Sequence, residues 1–312
     1  MAEPYWYKRD QWVLVGLILL SIAAGLLALS IGKVEGAVFW AYRLPRVLMA
    51  FGAGAVLAGA GVVFQSTLSN ELASPYTLGV SSAASLGAVL MIVLGLSDYQ
   101  GAGAIVAALI STWGLLKLAA RWRLMDPGQL VLLGTAQNTA LISLVLFLQF
   151  QLDRADVLQW MHWVVGSIQN ISWVPTMIFA GLATLLATLF IIKGKTFDIL
   201  SLGDTWAKSK GVDVAKERSR SLLGVSIAVA MVVAYVGPIG FIGVLVPQAL
   251  RAWRGPNHRG LGLQSLLLGG VLLTLADLLA RRLMYPLEMP AGILLALLGS
   301  IVFGWILSRR LR

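Results

Sequence analysis

Apolar stretches of about 15 to 24 residues recur down the whole chain, divided by short clusters of Gly, Pro, Asn, Ser, Lys and Arg. A helix rises about 1.5 Å per residue, so about 20 such residues cross a hydrocarbon core of about 30 Å. The alternating ten-residue strands of a membrane barrel have no counterpart here. The pattern predicts ten helical spans, at 12–31, 46–66, 77–96, 101–120, 129–150, 172–192, 219–236, 240–252, 262–280 and 291–308. The eighth, in GPIGFIGVLVPQAL, carries Pro238 and Pro247 and is too short to cross as a regular helix. Such an element has to be buried in protein or line a cavity.

Charge decides between ten spans and the nine obtained by merging the seventh with the eighth. With ten spans and both termini cytoplasmic, 18 of the 24 Lys and Arg residues fall on the cytoplasmic side. Only Lys33, Arg43, Arg46, Arg154, Arg281 and Arg282 face outward. Merging the two spans would carry the cluster from Arg251 to Arg259 and the C-terminal arginines outward and spoil that asymmetry. The expected fold class is therefore an all-α integral membrane protein of about ten helices, a single domain over 1–312 with a cytoplasmic loop at about 198–218.

Composition narrows the classes further. Hydrophobic residues make up 58% of the 312 and charged residues only 12%, and mean hydropathy is +0.84. The apolar run from Val13 to Ile31 is longer than a signal-peptide core and has no convincing cleavage site, so it is read as a retained first helix. The absence of cysteine removes disulfides, iron–sulfur clusters and thiolate metal sites. The net charge of +10 needs no nucleic-acid partner, because the positive-inside bias of membrane loops accounts for it. No phosphate-binding P-loop, HExxH or intramembrane carboxylate cluster is present, so neither a catalytic residue nor a metal ligand is assigned.

Several stretches call for an explanation beyond spanning. Ala50, Gly54 and Ala58 recur at four-residue spacing in FGAGAVLAGAG, a face on which helices can approach closely. Arg43 and Arg46 precede span two and Arg281 and Arg282 end span nine, on the side that disfavours cations. They either reach lipid headgroups and pair with Glu35 and Glu288, or form a docking surface for an acidic partner. Asp277, four residues before Arg281, fits an i, i+4 ion pair; a proton relay is the rival reading. The loop LSLGDTWAKSKGVDV resembles a short amphipathic helix closed by Gly211, with Leu200, Leu202 and Trp206 available to a partner's groove or to the membrane surface. In QSTLSNELASPYTLGVSS, Asn70, Ser74 and Pro75 break the helix, which fits a gate or a plain tight turn. His162 lies between tryptophans, as at a membrane interface, with haem or iron ligation as the minor reading; His258 reads as a turn residue.

Taken in order, these fragments resemble the FecCD family, the permease subunits of type II ABC importers for iron–siderophores, haem and cobalamin. The resemblance is carried by RLPR at 43–46, FQ at 64–65, NxLAxP at 70–75, LGVSS at 78–82, LSLGD at 200–204, GPIGFIG at 237–243, VPxxxR at 246–251, NHR at 257–259, ADLLAR at 276–281 and ExPxG at 288–292. It implies a dimer of permease chains, with a second identical or similar copy, a cytoplasmic ABC ATPase dimer that holds ATP and magnesium, and an extracytoplasmic substrate-binding protein. It implies docking of that protein on Arg43 and Arg281, with Arg46 a weaker member. A cytoplasmic gate is implied at Asn70 and Leu72, and ATPase coupling through Leu202, Gly203, Asp204, Ala207 and Gly211. No cofactor is expected on this chain, which is expected in a bacterial cytoplasmic membrane, in contact with lipid, as a non-enzymatic subunit. The chain departs from the family pattern at Glu71, Ser74, Gln248, Pro127 and Gly128.

The expected function is import of a metal chelate by alternating access, an iron(III)–siderophore first and haem or cobalamin as alternatives. A proton-coupled secondary transporter using Asp277 is the rival from another class, and a membrane-embedded enzyme lacks a plausible set of catalytic groups.

Overall fold

The computed structural model describes residues 5–30, 36–122, 124–152, 157, 160, 163–169, 171–254, 258–283 and 288–310. Lys33, Glu35, Arg123, Arg154, His162 and Arg312, which entered the charge and ligand arguments, lie outside them, as does the side chain of His258. The described residues form eleven α-helices and no strand. They are α1 (Tyr5–Ser30), α2 (Leu44–Thr67), α3 (Val80–Val93), α4 (Gln100–Arg121), α5 (Pro127–Gln149), α6 (Trp173–Ser201), α7 (Asp204–Ser209), α8 (Val214–Val236), α9 (Ile242–Arg254), α10 (His258–Leu283) and α11 (Ala291–Arg310). Each predicted span falls on one of them, α7 being the short extra helix. Seven of the described helices are long and apolar enough to cross a membrane; α3, α9 and the described apolar part of α11 are shorter.

Helix α2 is the axis of the molecule. Its small residues let α10, α6, α8 and α9 pack directly on it, while α3, α4 and α5 form a second group joined through α8. Gly54 of α2 meets Gly269 of α10 so closely that a Cβ on Gly54 would collide with the Gly269 carbonyl oxygen and lie 2.8 Å from Leu273 Cβ. Close approach of small residues multiplies van der Waals contact, the main source of helix association where lipid offers no hydrophobic contrast. The face predicted at Ala50, Gly54 and Ala58 is thus buried packing surface.

The boundaries differ from expectation where polarity was taken for the end of a helix. Helix α6 continues to Ser201 and α8 already begins at Val214, so most of the polar stretch 193–220 is helical. Lysine favours helix and does not stop it. What stops α6 is Gly203 at φ +104°, a backbone conformation that suits glycine.

Candidate functional site

At one end of the molecule the turn 68–79 leaves α2 and meets α7. Ser69 takes φ +43° and its hydroxyl donates to the Leu200 carbonyl at the end of α6 (2.9 Å). The Asn70 side chain accepts from Leu72 N (2.9 Å), a local turn that leaves Leu72 half exposed. The Thr77 hydroxyl donates to the Ser74 carbonyl (2.6 Å), and Gly79 at φ +72° admits the chain to α3.

Helix α7 stands beside this turn. Leu202 and Trp206 point outward, whereas Leu200 and Ala207 are fully buried. Gly211 at φ +78° closes the helix, its N–H donating to Lys208 O (2.9 Å) while Val212 N donates to Ala207 O (3.1 Å). Lys210 lies over the Trp206 ring at 5.0 Å, which covers part of an otherwise exposed indole.

One buried side chain joins the two features. Arg218 of α8, only 1% exposed, donates through Nε to the Thr67 carbonyl at the last turn of α2 (2.7 Å) and through Nη1 to Met125 O (2.5 Å). Its Nη1 and Nη2 also grip both carboxylate oxygens of Asp204, at 3.1 and 2.6 Å. A planar guanidinium is suited to such bidentate pairing. The first residue of α7, the end of α2 just ahead of the turn and the segment leading into α5 are therefore held by one group.

A second clamp comes from α9. Pro247 has no N–H, so the carbonyl of Gly243 four residues earlier loses its helical partner. Gln65 Nε2 of α2 supplies the missing donor at 3.1 Å, and Arg251 in turn donates to Gln65 Oε1. This explains how α9 runs on through a proline that suggested a broken element. Gln248 Nε2 donates to the Glu71 carbonyl (2.7 Å), tying α9 to the turn while Glu71 itself stays exposed. Gln65→Leu orphans the Gly243 carbonyl and one donor of Arg251; thermal inactivation is expected to move down by the equivalent of about 1–3 kcal/mol, measured on purified protein against Gln248→Leu, which leaves the proline site intact.

At the opposite end Asp277, with 3% of its side chain exposed, lies between two arginines. Arg46 donates to it at 3.0 Å and to Glu288 at 2.9 Å, and Arg281 Nε reaches it at 3.1 Å. The expected pair of Asp277 with Arg281 is present, and Arg46 is bound into the same network. Arg43 lies in a π-helical turn, Phe39–Arg43, and is 9% exposed; Arg282 is exposed. The four cations expected on the outer side therefore differ: Arg46 serves the fold, and Arg281 keeps a fifth of its side chain accessible.

Between the two ends lies a cavity of about 660 Å³, open on one side and lined by Ser74, Tyr76, Val165, Phe241, Ile293 and Leu297 among others. Its wall is part helix, from α9 and α11, and part irregular backbone at Ser74, Tyr76, Val165 and 238–241; next to the irregular part Ser167 N donates to Val236 O (2.9 Å) and Gly292 N to Gly166 O (3.0 Å). Non-helical backbone is tolerated at membrane depth when it is buried in protein or lines a cavity.

The model of the FecCD transport family matches residues 13–309. The chain belongs to the FecCD transport family. It is 40% identical over 280 residues to the Fe(3+) dicitrate transport system permease protein FecD of Escherichia coli K12, covering 86% of this chain and 84% of that one. Against the vitamin B12 import system permease protein BtuC of Vibrio cholerae the identity is 34% over 315 residues, 97% of this chain and 95% of the other. A solved inward-facing structure described as a metal-chelate type ABC transporter superposes with a TM-score of 0.86 at 30% identity, covering 96% of this chain and 99% of that one.

In this FecCD chain, sequence reasoning singled out the 70–75 turn, the 200–211 loop and the outer arginines, and the first two lie side by side. It gave no role to Arg218, counted only as a cytoplasmic cation, or to Gln65, noted only within the FQ pair at 64–65. Gln65 carried a signal, a polar residue near the end of an otherwise apolar helix; Arg218, inside the polar run 216–220, carried none.

Proposed function

We propose that the chain is the permease subunit of an ATP-driven importer for a metal chelate, working by alternating access in a bacterial cytoplasmic membrane. The observation that carries this reading is the Arg218 joint, which makes a partner-facing helix and the 68–79 turn parts of one body. A separate cytoplasmic ATPase dimer, holding ATP and magnesium, seats on Leu202 and Trp206, with Gly203, Asp204, Ala207 and Gly211 shaping the helix that bears them. Movement of α7 displaces the end of α2 and opens the turn at Asn70 and Leu72. On the outer face a substrate-binding protein docks acidic side chains on Arg281, whose side chain stays one-fifth accessible, while Arg43, at 9% exposure, has to turn outward to take part and Arg46 stays bound to Asp277 and Glu288. A second permease copy closes the open side of the cavity against α11, whose Leu297, Ile301 and Trp305 are exposed.

The cavity wall is apolar and small-residue, which suits a large chelate touched weakly at many points better than a bare ion. An iron(III)–siderophore is the substrate we favour, because the 40%-identical FecD carries ferric dicitrate by name; haem and cobalamin are the alternatives within the same family. A proton relay through Asp277 is disfavoured by its two arginine partners, which hold the carboxylate in ion pairs with 3% of its side chain exposed. In vesicles containing the permease, its ATPase and its binding protein, uptake of radiolabelled ferric chelate is expected to require ATP and to persist when the proton gradient is collapsed. Uptake driven by the gradient without ATP would overturn the reading.

A further inference from the structure

Helices α6 and α8 both pack on α2 but splay from one another, leaving a groove of about 420 Å³ that neither the coupling site nor the chelate cavity uses. Its walls include Leu182, Leu185, Leu189, Gly224 and Ala228. The one hydroxyl on the α6 wall, that of Thr188, is spent on the Thr184 carbonyl (2.9 Å), so the wall behaves as hydrocarbon. At one mouth stand Lys193 and Arg220. Lys193 donates to Glu217, but an ammonium carries three donors and two remain. Arg220 is exposed, and exposed Lys216 lies one turn from it. Lys193 and Arg220 line the mouth against the one carboxylate of Glu217, and beside it Lys216 is offset by Asp213, so the entrance is net positive.

The dimensions restrict the occupant. From Leu182 to Lys193 the α6 wall rises about 16 Å, roughly half the hydrocarbon thickness of a bilayer. A spanning partner helix would need about twice that length of apolar wall and no cation part-way along it. One leaflet of lipid fits both the length and the placement of charge.

We propose that this groove binds a single anionic phospholipid, an acyl chain lying against α6 and α8 and the phosphate on Arg220 and Lys193. The same end of the molecule bears α7, so the lipid belongs to the cytoplasmic leaflet; that assignment alone rests on the proposed function, and the lipid site itself does not. Glu217, which accepts from Lys193, is the neighbour of Arg218 in α8, so the bound headgroup sits close to the joint that links α7 to α2.

The test uses the full chain purified in detergent, titrated with dioleoyl phosphatidylglycerol or dioleoyl phosphatidylcholine and read by native mass spectrometry. Gly224 lines the groove and has nothing within 4 Å of a built Cβ, so Gly224→Leu starts its side chain into open groove space; Gly114 of α4 is equally open at Cβ and lies outside the groove, which makes Gly114→Leu the control. The native chain is expected to retain one phosphatidylglycerol about fivefold more tightly than phosphatidylcholine, the effect of about one cationic contact at a membrane surface. Gly224→Leu should weaken both lipids by about tenfold and Gly114→Leu neither, while Arg220→Gln should bring phosphatidylglycerol down to the phosphatidylcholine level. Unchanged binding in Gly224→Leu, or equal retention of the two lipids by the native chain, overturns the proposal. So does co-purification of a protein that Gly224→Leu removes while lipid binding stays as it was. No nucleotide or ATPase enters the assay, so its outcome is independent of the transport reading.

Discussion

Gly54→Ala is expected to prevent accumulation of folded protein, or to lower its thermal inactivation temperature by more than about 10 °C, although it adds one methyl group. The methyl carbon would overlap the Gly269 carbonyl oxygen, a backbone atom in the middle of α10 that no rotamer change can move. Relief requires separating α2 from α10, and with them the packing of the central helix against its main neighbour. Overpacking a close-packed interior costs about 1–3 kcal/mol when side chains can yield, and here they cannot. Gly114→Ala is the matched comparison: the same change in a helix, with open space around the new methyl, should be neutral or slightly stabilising because alanine favours helix by about 1 kcal/mol over glycine. Fluorescence-detected size exclusion over a temperature series separates the two. Equal behaviour of the two variants would show that α2 and α10 lie further apart at Gly54 and Gly269.

The second large effect is expected at Arg218. Arg218→Met removes a guanidinium that serves two carbonyls and a carboxylate, and breaking a buried ion pair from one side costs about 3–5 kcal/mol. The lower end applies, because a quarter of the Asp204 side chain is in water and can recover hydration. The functional loss should exceed the structural one. Leu202 and Trp206 remain exposed, so the ATPase should still bind and hydrolyse at a basal rate, while chelate uptake and stimulation by the binding protein fall by more than about tenfold. Arg218→Lys should not restore them, since one ammonium cannot span acceptors on three separate segments. Asp204→Asn in combination with Arg218→Met should cost no more than Arg218→Met alone, the non-additivity expected of one network. Uptake at the native level in Arg218→Met would mean that α7 and the 68–79 turn move independently.

The reasons why some of this was legible in the sequence and some was not are physical. Apolar runs report the membrane directly, so all ten predicted spans fall on helices, and the small-residue face of α2 follows from its four-residue spacing. Helix ends near the membrane surface were misplaced, because Lys193, Lys195 and Glu217 mark the edge of the hydrocarbon while backbone geometry at Gly203 and Asp213 marks the end of the helix. Pro247 signalled a break, correctly as local chemistry, but the donor that repairs it is Gln65, about 180 residues away in sequence. Arg218 was counted among the cytoplasmic cations for the same reason. Its acceptors at Thr67, Met125 and Asp204 come from three segments that only the folded chain brings together. Arg46 gives the opposite lesson: a cation on the disfavoured side suggested a partner, and most of its donors are answered by Asp277 and Glu288 within the chain.

The proposed mechanism depends on a separate ATPase gripping α7. The measurement that bears on it most directly is the affinity of the purified ATPase for this chain in lipid discs, native against the pair Leu202→Ala and Trp206→Ala. Exposed apolar and aromatic anchors of this kind each contribute about 2 kcal/mol when they fill a partner's pocket, so the double variant should bind about a thousandfold more weakly, with the thermal stability of the chain unchanged. An affinity equal to the native one would contradict the account and return α7 to the role of a surface connector.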